Sequence, residues 1–470
     1  MAQAEGSSSI MVIANELTFK SPPSLVVENC EDAWNEQVDG DCTATLDAAD
    51  FKVGAGSAKF EIAVGMSAGD IACTEAIVVA SLASYTHLGF WIKSSVLFTA
   101  GQLQILLDDT ANCASPLETL NVPATAANTW TFHTVPLANP ATDLLLISIG
   151  LKYTADLGAC NVWLDDIRAI NTGVVLPFKS EGFRMSQELL ESECIVATRN
   201  AAQPTLGNIA VDGNVSTELA PYMTRLFKHM LGACVLTGGG APYTYTFKVA
   251  ALPAGMTVEK QFTDIGKYFR YDGCKVASWR LSGSAGAISP LELTLMGAVE
   301  TVAAYPWDGD PTTYTHHPFT SFKAYVKYGG GPTTLGTVTE FSLEGNNNLD
   351  GSSYVIDSTG MRYSIPSGKV SVTGSITCLF EDTTLYDLAK AGTETKLIFE
   401  LWHGDGTGTP AGNEKLTITL DEVMLKPEAP AIDGPQGVKI TLPFVAFYGD
   451  GANASSCTFA LLLPNNTTLY

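Results

Sequence analysis

The sequence lacks the features that mark a membrane or secreted protein. No run of about 18 apolar residues occurs anywhere, which excludes a membrane-spanning helix. No basic residue precedes Lys20 and no continuous apolar stretch opens the chain, so we expect no secretory leader. Only 16% of the 470 residues are charged and 46% are apolar, a composition typical of a globular chain with buried cores.

The chain also lacks the motifs that carry common enzyme chemistry. There is no G-x-S-x-G motif, and the six histidines are scattered without H-x-x-x-H spacing. The glycine triplets at 238–240 and 329–331 lack the Lys-Ser/Thr of a phosphate loop. Adjacent acidic residues such as Asp421 and Glu422 would point to opposite faces of a strand, a poor arrangement for a catalytic pair. We therefore predict that the protein is not an enzyme.

Positive charge is scarce, with 26 Lys and Arg against 49 Asp and Glu and a formal net charge of −23. A protein that binds DNA neutralises phosphates with Lys and Arg, so this balance argues against nucleic-acid affinity. Solubility alone accounts for such an excess, but an acidic wall would also let DNA pass without sticking. The ten cysteines include no C-x-x-C pair, which favours reduced thiols, although a Cys30–Cys42 or a Cys113–Cys160 bridge stays open.

What the chain does have is 43 glycines and many Thr, Val and Ser residues, which favour short strands joined by tight turns. Strand-like segments follow one another from about residue 25 to residue 170, without a convincing helix between them. The candidates are 58–64, 88–92, 103–107, 130–136, 144–151 and 162–170. We predict a mainly β protein whose residues 1–171 form an antiparallel sandwich.

Four segments of this region resemble the jelly-roll fold of carbohydrate-binding modules: VENCED (27–32), GAGSAKF (54–60), FWIK (90–93) and VWLDDIR (162–168). In such modules an early Glu and the first Asp of the last strand often hold a structural Ca²⁺. The resemblance thus implies Glu31 and Asp165 as oxygen ligands of a calcium ion, which is the one cofactor expected. The alternative is that both carboxylates belong to a solvated strand edge.

The resemblance also raises glycan binding, in which sugars stack on exposed aromatic side chains. Four tryptophans, Trp34, Trp91, Trp130 and Trp163, lie in alternating strand contexts. Core packing is the commoner position of tryptophan in such contexts, so both interpretations stay open.

The rest of the chain contains a rough duplication. VDGNVS (211–216) is echoed by VTGSIT (372–377), and each segment is followed by a short helical pattern that ends at a glycine. The first helix is predicted to start near Pro221 and end at Gly232, and the second to be capped by Asp382 and closed by Gly392. We call residues 172–300 repeat 1 and residues 301–470 repeat 2, and each is predicted to be a β-sandwich with one flanking helix.

The duplicated part resembles phage tail tube proteins. The segments that carry the resemblance are PAGMTVEK (253–260), YDGCKV (271–276), TVTEFSLE (337–344) and NNNLD (346–350). The resemblance implies a virion protein, made in the host cytoplasm, that joins copies of itself edge to edge into rings with an acidic bore. Two fused repeats imply trimeric, pseudo-hexameric rings, with hexameric rings as the alternative, stacked into a tube. It also implies contacts with the tape measure protein and other tail proteins, and passage of double-stranded DNA without specific binding.

Two stretches are candidates for the arm that reaches the next ring. One includes Trp307, Asp308 and Asp310, and the other includes Leu176 and Phe178 in the link that continues to residue 193. The residues 185–193 have helical propensity but fit an extended arm as well. The jelly roll is expected outside the tube, because the bore must stay open. The main alternative function is a carbohydrate-binding surface or adhesion protein with accessory β-sandwich domains, and a weaker one is a capsid decoration or baseplate protein.

Overall fold

The computed structural model describes residues 4–194, 199–357, 359–432, 434, 437–448 and 454–465. The described chain is mainly β with two short α-helices, so the predicted fold class is confirmed. It divides into two compact units. The first unit contains residues up to 175 together with 259–269 and 302–313, and the second contains 176–258, 270–301 and residues from 314 onward.

The first unit is built from short strands that alternate between buried and exposed side chains. They are β1 (Ser9–Glu16), β2 (Ser24–Glu28), β3 (Gln37–Val38), β4 (Cys42–Asp47), β5 (Ser57–Ile62), β6 (Ile71–Ala80), β7 (His87–Ser94), β8 (Leu103–Asp108), β9 (Glu118–Asn121), β10 (Thr131–Pro136), β11 (Leu146–Tyr153), β12 (Cys160–Ile170) and β13 (Val174–Val175). One sheet has the order β10-β7-β12-β5-β4, with β2 beside β12, and the other has the order β3-β6-β11-β8-β9. The described pairings within both sheets are antiparallel, as predicted for a jelly-roll sandwich.

One large hydrophobic core lies between these two sheets. It contains Trp34 and Phe60, whose rings meet edge to face at 5.2 Å, together with aliphatic residues from both sheets. A smaller cluster joins Val12, Ala14 and Trp307. Burial on this scale supplies the main stabilisation of the unit, because each fully buried large side chain contributes roughly 1.5–3 kcal/mol.

The second unit contains most of the remaining strands and both helices. These elements are β14 (Ser180–Glu181), β15 (Arg184–Leu190), β16 (Thr205–Glu218), α1 (Thr224–Leu231), β17 (Gly232–Thr237), β18 (Tyr243–Val249), β19 (Gly255–Phe262), β20 (Lys267–Ser284), β21 (Pro290–Gly297), β22 (Val299–Ala303), β23 (Ala324–Tyr328), β24 (Thr333–Thr334), β25 (Val338–Asn346), β26 (Ser371–Leu379), α2 (Thr384–Lys390), β27 (Thr395–Trp402), β28 (Lys415–Leu425), β29 (Lys439–Phe447) and β30 (Thr458–Leu463). The part of β19 and β20 between residues 259 and 269, and the last residues of β22, belong to the first unit.

The strands of the second unit form a layered arrangement in which one sheet runs through both repeats. Its order is β16-β21-β20-β25-β26-β29, with β14 and β15 on the other side of β16. A second series of pairs has the order β17-β18-β30-β28-β27-β23-β24. We refer to the first of these series as the continuous sheet.

Both predicted helices are present, and each lies where its capping residues indicated. Helix α1 starts at Thr224, three residues after Pro221, and ends at Gly232, whose φ of 111° is readily reached by glycine. Seven of its eight residues are buried. Helix α2 starts after Asp382, which accepts a hydrogen bond from the Thr384 amide at 2.8 Å, and Gly392 follows it with a φ of 61°.

Two places in the chain concern points that the sequence left open. The segment around Met185 is a strand, not a helix, because it pairs with β16 from Arg184↔Asp212 to Leu190↔Thr205. The boundary between the repeats at residues 300/301 stays a prediction, and across it β20 of repeat 1 pairs directly with β25 of repeat 2.

Candidate functional site

One face of the continuous sheet consists mainly of polar and charged side chains, and the apolar residues Leu379, Pro443 and Val445 lie on the same face at β26 and β29. Along each strand the residues of the opposite face are buried, as Val215, Leu293, Leu343 and Ile376 show, and the residues between them are exposed or half-buried. The exposed set, which we call the polar face, comprises Asn214, Ser216, Glu218, Ser278, Arg280, Ser282, Glu292, Thr294, Glu340, Ser342, Glu344, Ser371, Thr373, Ser375, Thr377, Lys439 and Thr441. Period-2 alternation creates this face, because successive side chains of a strand point to opposite sides of the sheet.

The polar face contains a groove, and its basic side chains Arg280 and Lys439 are each paired with a carboxylate. The groove has a volume of about 760 Å³, and its lining includes residues of β14, β16, β21, β20, β25 and β26. Arg280 contacts Glu344 at 3.2 Å, and Lys439 contacts Glu340 at 3.9 Å. These four side chains are each about half exposed, so water weakens the attraction within both pairs. The face offers hydroxyl groups and carboxylates more than cations, a poor surface for binding phosphate.

The two repeats meet at the pairing of β20 with β25. Seven residue pairs span this junction, from Ser278↔Asn346 to Ser284↔Glu340. In the second of these pairs Trp279 lies opposite Gly345, and a Cβ atom on Gly345 would lie 2.2 Å from the indole. Trp279 is 2% exposed, so its ring occupies the space that a side chain at position 345 would need.

A projecting hairpin extends from one edge of the continuous sheet. All seven residues of β15 are exposed, and β16 continues past its last partner in β21, Val211, to residue 205. Several apolar side chains are exposed on this hairpin, Met185 by 38%, Leu189 by 60%, Leu190 by 49% and Leu206 by 68%. A two-stranded hairpin is only marginally stable by itself. Exposed apolar side chains that lie together often mark a surface that contacts another molecule, so the hairpin is a candidate contact surface.

Arg362 holds a long loop against the base of this hairpin. Its guanidinium, 5% exposed, donates to both carboxylate oxygens of Asp212 at 2.9 and 2.7 Å. It also donates to the carbonyls of Val211, Gly297 and Gly351 at 3.1, 2.8 and 2.9 Å. The loop and the start of the hairpin are thereby joined in one hydrogen-bonded network.

The predicted inter-ring residues lie in quite different surroundings. In the first unit Trp307 is 2% exposed and donates to the Asn171 carbonyl at 3.1 Å, while Asp308 is 1% exposed and accepts from the Gly173 amide at 2.7 Å. Asp310 is exposed. In the second unit Leu176 is buried and Phe178 half-buried. In this arrangement Trp307, Asp308 and Leu176 offer no surface to another copy, because they pack inside their own unit, and their role as contacts stays a prediction.

Glu31 and Asp165, the predicted calcium ligands, face the same turn of the first unit. Asp165 Oδ2 accepts from the amides of Lys52 and Val53 at 2.6 and 2.9 Å, and Glu31 Oε1 accepts from Ala55 at 2.8 Å. Asp165 Oδ1 is buried and has no hydrogen-bond partner among the described residues. Burial raises the pKa of Asp165 to about 6. Within the described ranges no three His, Cys, Asp or Glu side chains are grouped to hold a metal, so backbone oxygens or water would have to complete such a site.

Of the four tryptophans named from the sequence, Trp34 and Trp163 are buried, whereas Trp91 and Trp130 are half-buried. Trp34 is fully buried. Trp163 is 9% exposed, donates to Asp47 at 2.9 Å, and has the Lys93 ammonium 5.0 Å from its ring. Trp130 donates to Asp50 at 2.7 Å. These indole groups are already engaged in contacts within the unit.

Comparison with solved structures finds carbohydrate-binding modules, at low similarity. A family 29 carbohydrate-binding module in complex with mannohexaose has 13% identity, with 36% of this chain and 92% of that chain covered and a TM-score of 0.19. The N-terminal tandem of family 22 modules from Paenibacillus barcinonensis Xyn10C has 9% identity, with 94% and 98% covered and a TM-score of 0.24. Nothing about function follows at these scores. No curated protein matches the chain.

The sequence profile of one family does match, over most of the chain. The family is described as phage tail tube protein, and the match covers residues 119–446. It starts in the first unit and includes both helices, the β20–β25 junction and nearly all of the continuous sheet. Among the described residues no helix is long and apolar enough to cross a bilayer. The chain belongs to the phage tail tube protein family and is a structural component of a virion tail.

Proposed function

We propose that copies of the chain close through the continuous sheet into rings, that the rings stack into a tube, and that the polar face lines a bore for duplex DNA. The observation that supports ring closure best is the β20–β25 junction. It joins the two repeats edge to edge inside one chain. A closed ring would need the same kind of strand pairing between neighbouring chains. Closure would also remove the exposed strand edges that otherwise promote aggregation.

The strand order suggests which edges would meet. At one end of the continuous sheet β14 and the start of β15 adjoin β16. At the other end β29 pairs with β26 along its whole length, whereas β28 adjoins β29 only at residues 444–447 in the described chain. Residues 439–442 therefore present one open edge, since Lys426 already donates to the carbonyl of Pro443. We propose that this edge pairs with β14 and β15 of the next copy.

The backbone of β29 indicates which of its groups face that edge. The carbonyl of Val438 accepts from the amide of Phe380, the residue that follows β26, and so faces β26. The carbonyl of Pro443 accepts from the amide of Lys426 and so faces the opposite side of β29. The N–H and C=O groups of one residue point to the same side of a strand and alternate along it. The Thr441 amide therefore points away from β26, toward the open edge, as does the ring nitrogen of Pro443.

The projecting hairpin is proposed as the arm that reaches the next ring. Its outer part, residues 187–190 with 205–209, lies beyond the last residue of β16 that pairs with β21. The apolar side chains exposed there would be buried on contact with another ring, which stabilises association by roughly 25 cal/mol per Å² of apolar surface. The first strand of the proposed arm belongs to the link that the sequence indicated, downstream of Leu176 and Phe178, and the second strand follows that link.

The polar face suits a bore that must not retain DNA. It carries the acidic residues Glu218, Glu292, Glu340 and Glu344, against the basic residues Arg280 and Lys439. Each repeated copy therefore adds more negative than positive charge to the bore. DNA binding depends on counter-charge from Lys and Arg, so such a wall would repel the duplex weakly and let it slide.

Electron microscopy of the purified full-length protein tests this function. We expect stacked rings with an open bore and threefold symmetry, since each chain has two repeats, whereas sixfold rings of single chains would contradict the pairing of repeats. Thr441→Pro removes the outward amide without altering the ladder to β26, so it should leave a folded protein that forms no rings. Thr441→Ala keeps the amide and is the matched control. Rings formed equally by both variants would refute the proposed edge.

Stacking is tested by replacing residues 187–208 with a short Gly-Ser turn. We expect single rings that no longer stack, since the open edge of β29 is untouched. Tubes of normal length from this variant would exclude the hairpin as the arm.

For the first unit, we propose that Glu31 and Asp165 hold a calcium ion, and glycan binding stays a prediction. The unpaired Asp165 Oδ1 supports the cation, because a buried carboxylate oxygen without a partner is costly. A screen of the purified protein on a glycan array decides the second question. Binding by stable monomers that never form rings would favour the alternative of a carbohydrate-binding surface protein.

A further inference from the structure

Two cysteines from opposite sheets meet in the core of the first unit. Cys42 is the first residue of β4, the edge strand of one sheet, and Cys73 lies in β6 of the other sheet. Both residues belong to the hydrophobic core between the sheets, they are 8% and 1% exposed, and each thiol shifts the pKa of the other. We propose that Cys42 and Cys73 are a modification site, at which a low-molecular-weight disulfide such as oxidised glutathione converts the two thiols into an inter-sheet disulfide.

The backbone around the pair holds the two residues close together. Val38 of β3 lies directly opposite Cys73. The Asp39 amide donates to the Ala72 carbonyl at 3.0 Å, and the Cys42 amide donates to the Asp39 carbonyl at 3.1 Å. A three-residue turn anchored on β6 thus delivers Cys42 to the neighbourhood of Cys73. A disulfide needs this kind of proximity, with Cα atoms usually 4.4–6.8 Å apart.

The surroundings of the two thiols differ in a way that orders the reaction. The hydrogen bond from Cys73 lowers the pKa of Cys42, whereas burial raises the pKa of Cys73. Cys42 also lies on an edge strand, where local opening gives a small oxidant access. The thiolate is the nucleophile in thiol–disulfide exchange, so Cys42 reacts first.

The chemistry balances with glutathione disulfide as the oxidant. The Cys42 thiolate attacks one glutathione sulfur, and the other glutathione leaves as a thiolate. Cys73 then loses its proton and attacks the Cys42 sulfur of the mixed disulfide, which releases the second glutathione. Two protein thiols are oxidised, and one glutathione disulfide is reduced to two thiols.

Cys160 is the alternative partner for Cys42, and the strand register argues against it. Cys42 lies opposite Ile62, and Ile62 lies opposite Cys160 on the far side of β5. The two cysteines are therefore two strands apart in the same sheet, about 9–10 Å, which exceeds the reach of a disulfide. The proposal is independent of ring assembly, although exposure of a released virion to an oxidising medium would give it a setting.

Peptide mapping by mass spectrometry tests the site on the full-length protein. We expect native protein treated with oxidised glutathione to yield a Cys42–Cys73 linked peptide, with a loss of two hydrogens from the mass. The exposed Cys194 gains a glutathione adduct instead and is distinguished by its mass increase. The closed loop should raise the melting temperature of the first unit by roughly 5–10 °C, and a thiol reductant should reverse the rise.

Two variants complete the test. Cys73→Ala should leave Cys42 with a glutathione adduct and no internal link, whereas Cys160→Ala should keep the Cys42–Cys73 link unchanged. A linked peptide that contains Cys160, or Cys42 and Cys73 both unmodified after treatment, would overturn the proposal. The mapping of the unsubstituted protein decides the question even if a variant does not fold.

Discussion

Replacing Arg362 by alanine should destabilise the second unit more than any exposed charge substitution. The guanidinium is 5% exposed and makes a bidentate pair with Asp212 at 2.9 and 2.7 Å. Three backbone carbonyls, those of Val211, Gly297 and Gly351, also accept from it. Arg362→Ala removes all of these donors at once and detaches the loop that packs on the hairpin base.

The magnitude follows from burial. Removing one partner of a buried, hydrogen-bonded ion pair costs about 3–5 kcal/mol, chiefly because the groups left behind lose their partners. The Asp212 side chain is 43% exposed, so water can solvate it and the lower end applies. We expect a loss of about 3 kcal/mol for Arg362→Ala. Arg362→Lys retains the charge but loses the planar fork, so it should cost about half as much.

Urea unfolding of the full-length protein, followed by tryptophan fluorescence, measures this loss. Trp279 is buried in the same unit and reports on its unfolding. The matched control is Arg280→Ala, since the side chains of Arg280 and Glu344 are 54% and 49% exposed. That control should cost less than about 1 kcal/mol. Equal losses for Arg362→Ala and Arg280→Ala would refute the inference that the buried network stabilises the unit.

Three further predictions concern pH, packing and calcium. Burial raises the pKa of Asp143 to about 6. Between pH 4 and 6 the folded state therefore keeps a proton that the unfolded state has already released. The free energy of unfolding should fall by at most about 3 kcal/mol as the pH rises from about 4 to about 7. Urea titrations should show that slope, and Asp143→Asn should reduce it while the contribution of Asp165, whose pKa is also raised to about 6, remains. Gly345→Ala should cost at least about 1–3 kcal/mol in urea unfolding because its Cβ would meet Trp279, whereas Gly239→Ala, with open space around it, should change little; equal effects would contradict the junction packing. The calcium ion proposed at Glu31 and Asp165 should stabilise the first unit, so a chelator should lower the melting temperature of that unit, and Asp165→Asn should abolish this shift. An unchanged melting temperature after chelation would refute the calcium site.

Local sequence patterns were sufficient for most of the secondary structure. Period-2 alternation located the strand now seen as Cys160–Ile170, and the pattern that ends at Gly232 located α1. These signals depend on residues a few positions apart, so they can be recognised without knowledge of the rest of the fold. The sequence left both a helix and an extended arm open for the segment around Met185, and pairing with β16 selects the extended form.

The candidate site was predictable only in part. The resemblance pointed to Glu31 and Asp165, which the fold does bring to one turn. It also pointed to Trp307 as a candidate contact between rings; the structure buries that indole in its own unit, and its role as a contact stays a prediction. The length of a loop does not reveal whether its side chains pack inward, because that depends on residues distant in sequence.

The amino-acid sequence by itself determined the mainly β class, the two capped helices, the duplication and the family, because each is expressed in local spacing or in matching segments. The tertiary structure alone decided that β20 joins β25, that one polar face runs through both repeats, and that Cys42 meets Cys73. The physical reason is that strand pairing and core contacts join residues separated by tens of positions along the chain. Many alternative partners satisfy the same period-2 pattern, and only simultaneous packing of all the strands selects among them.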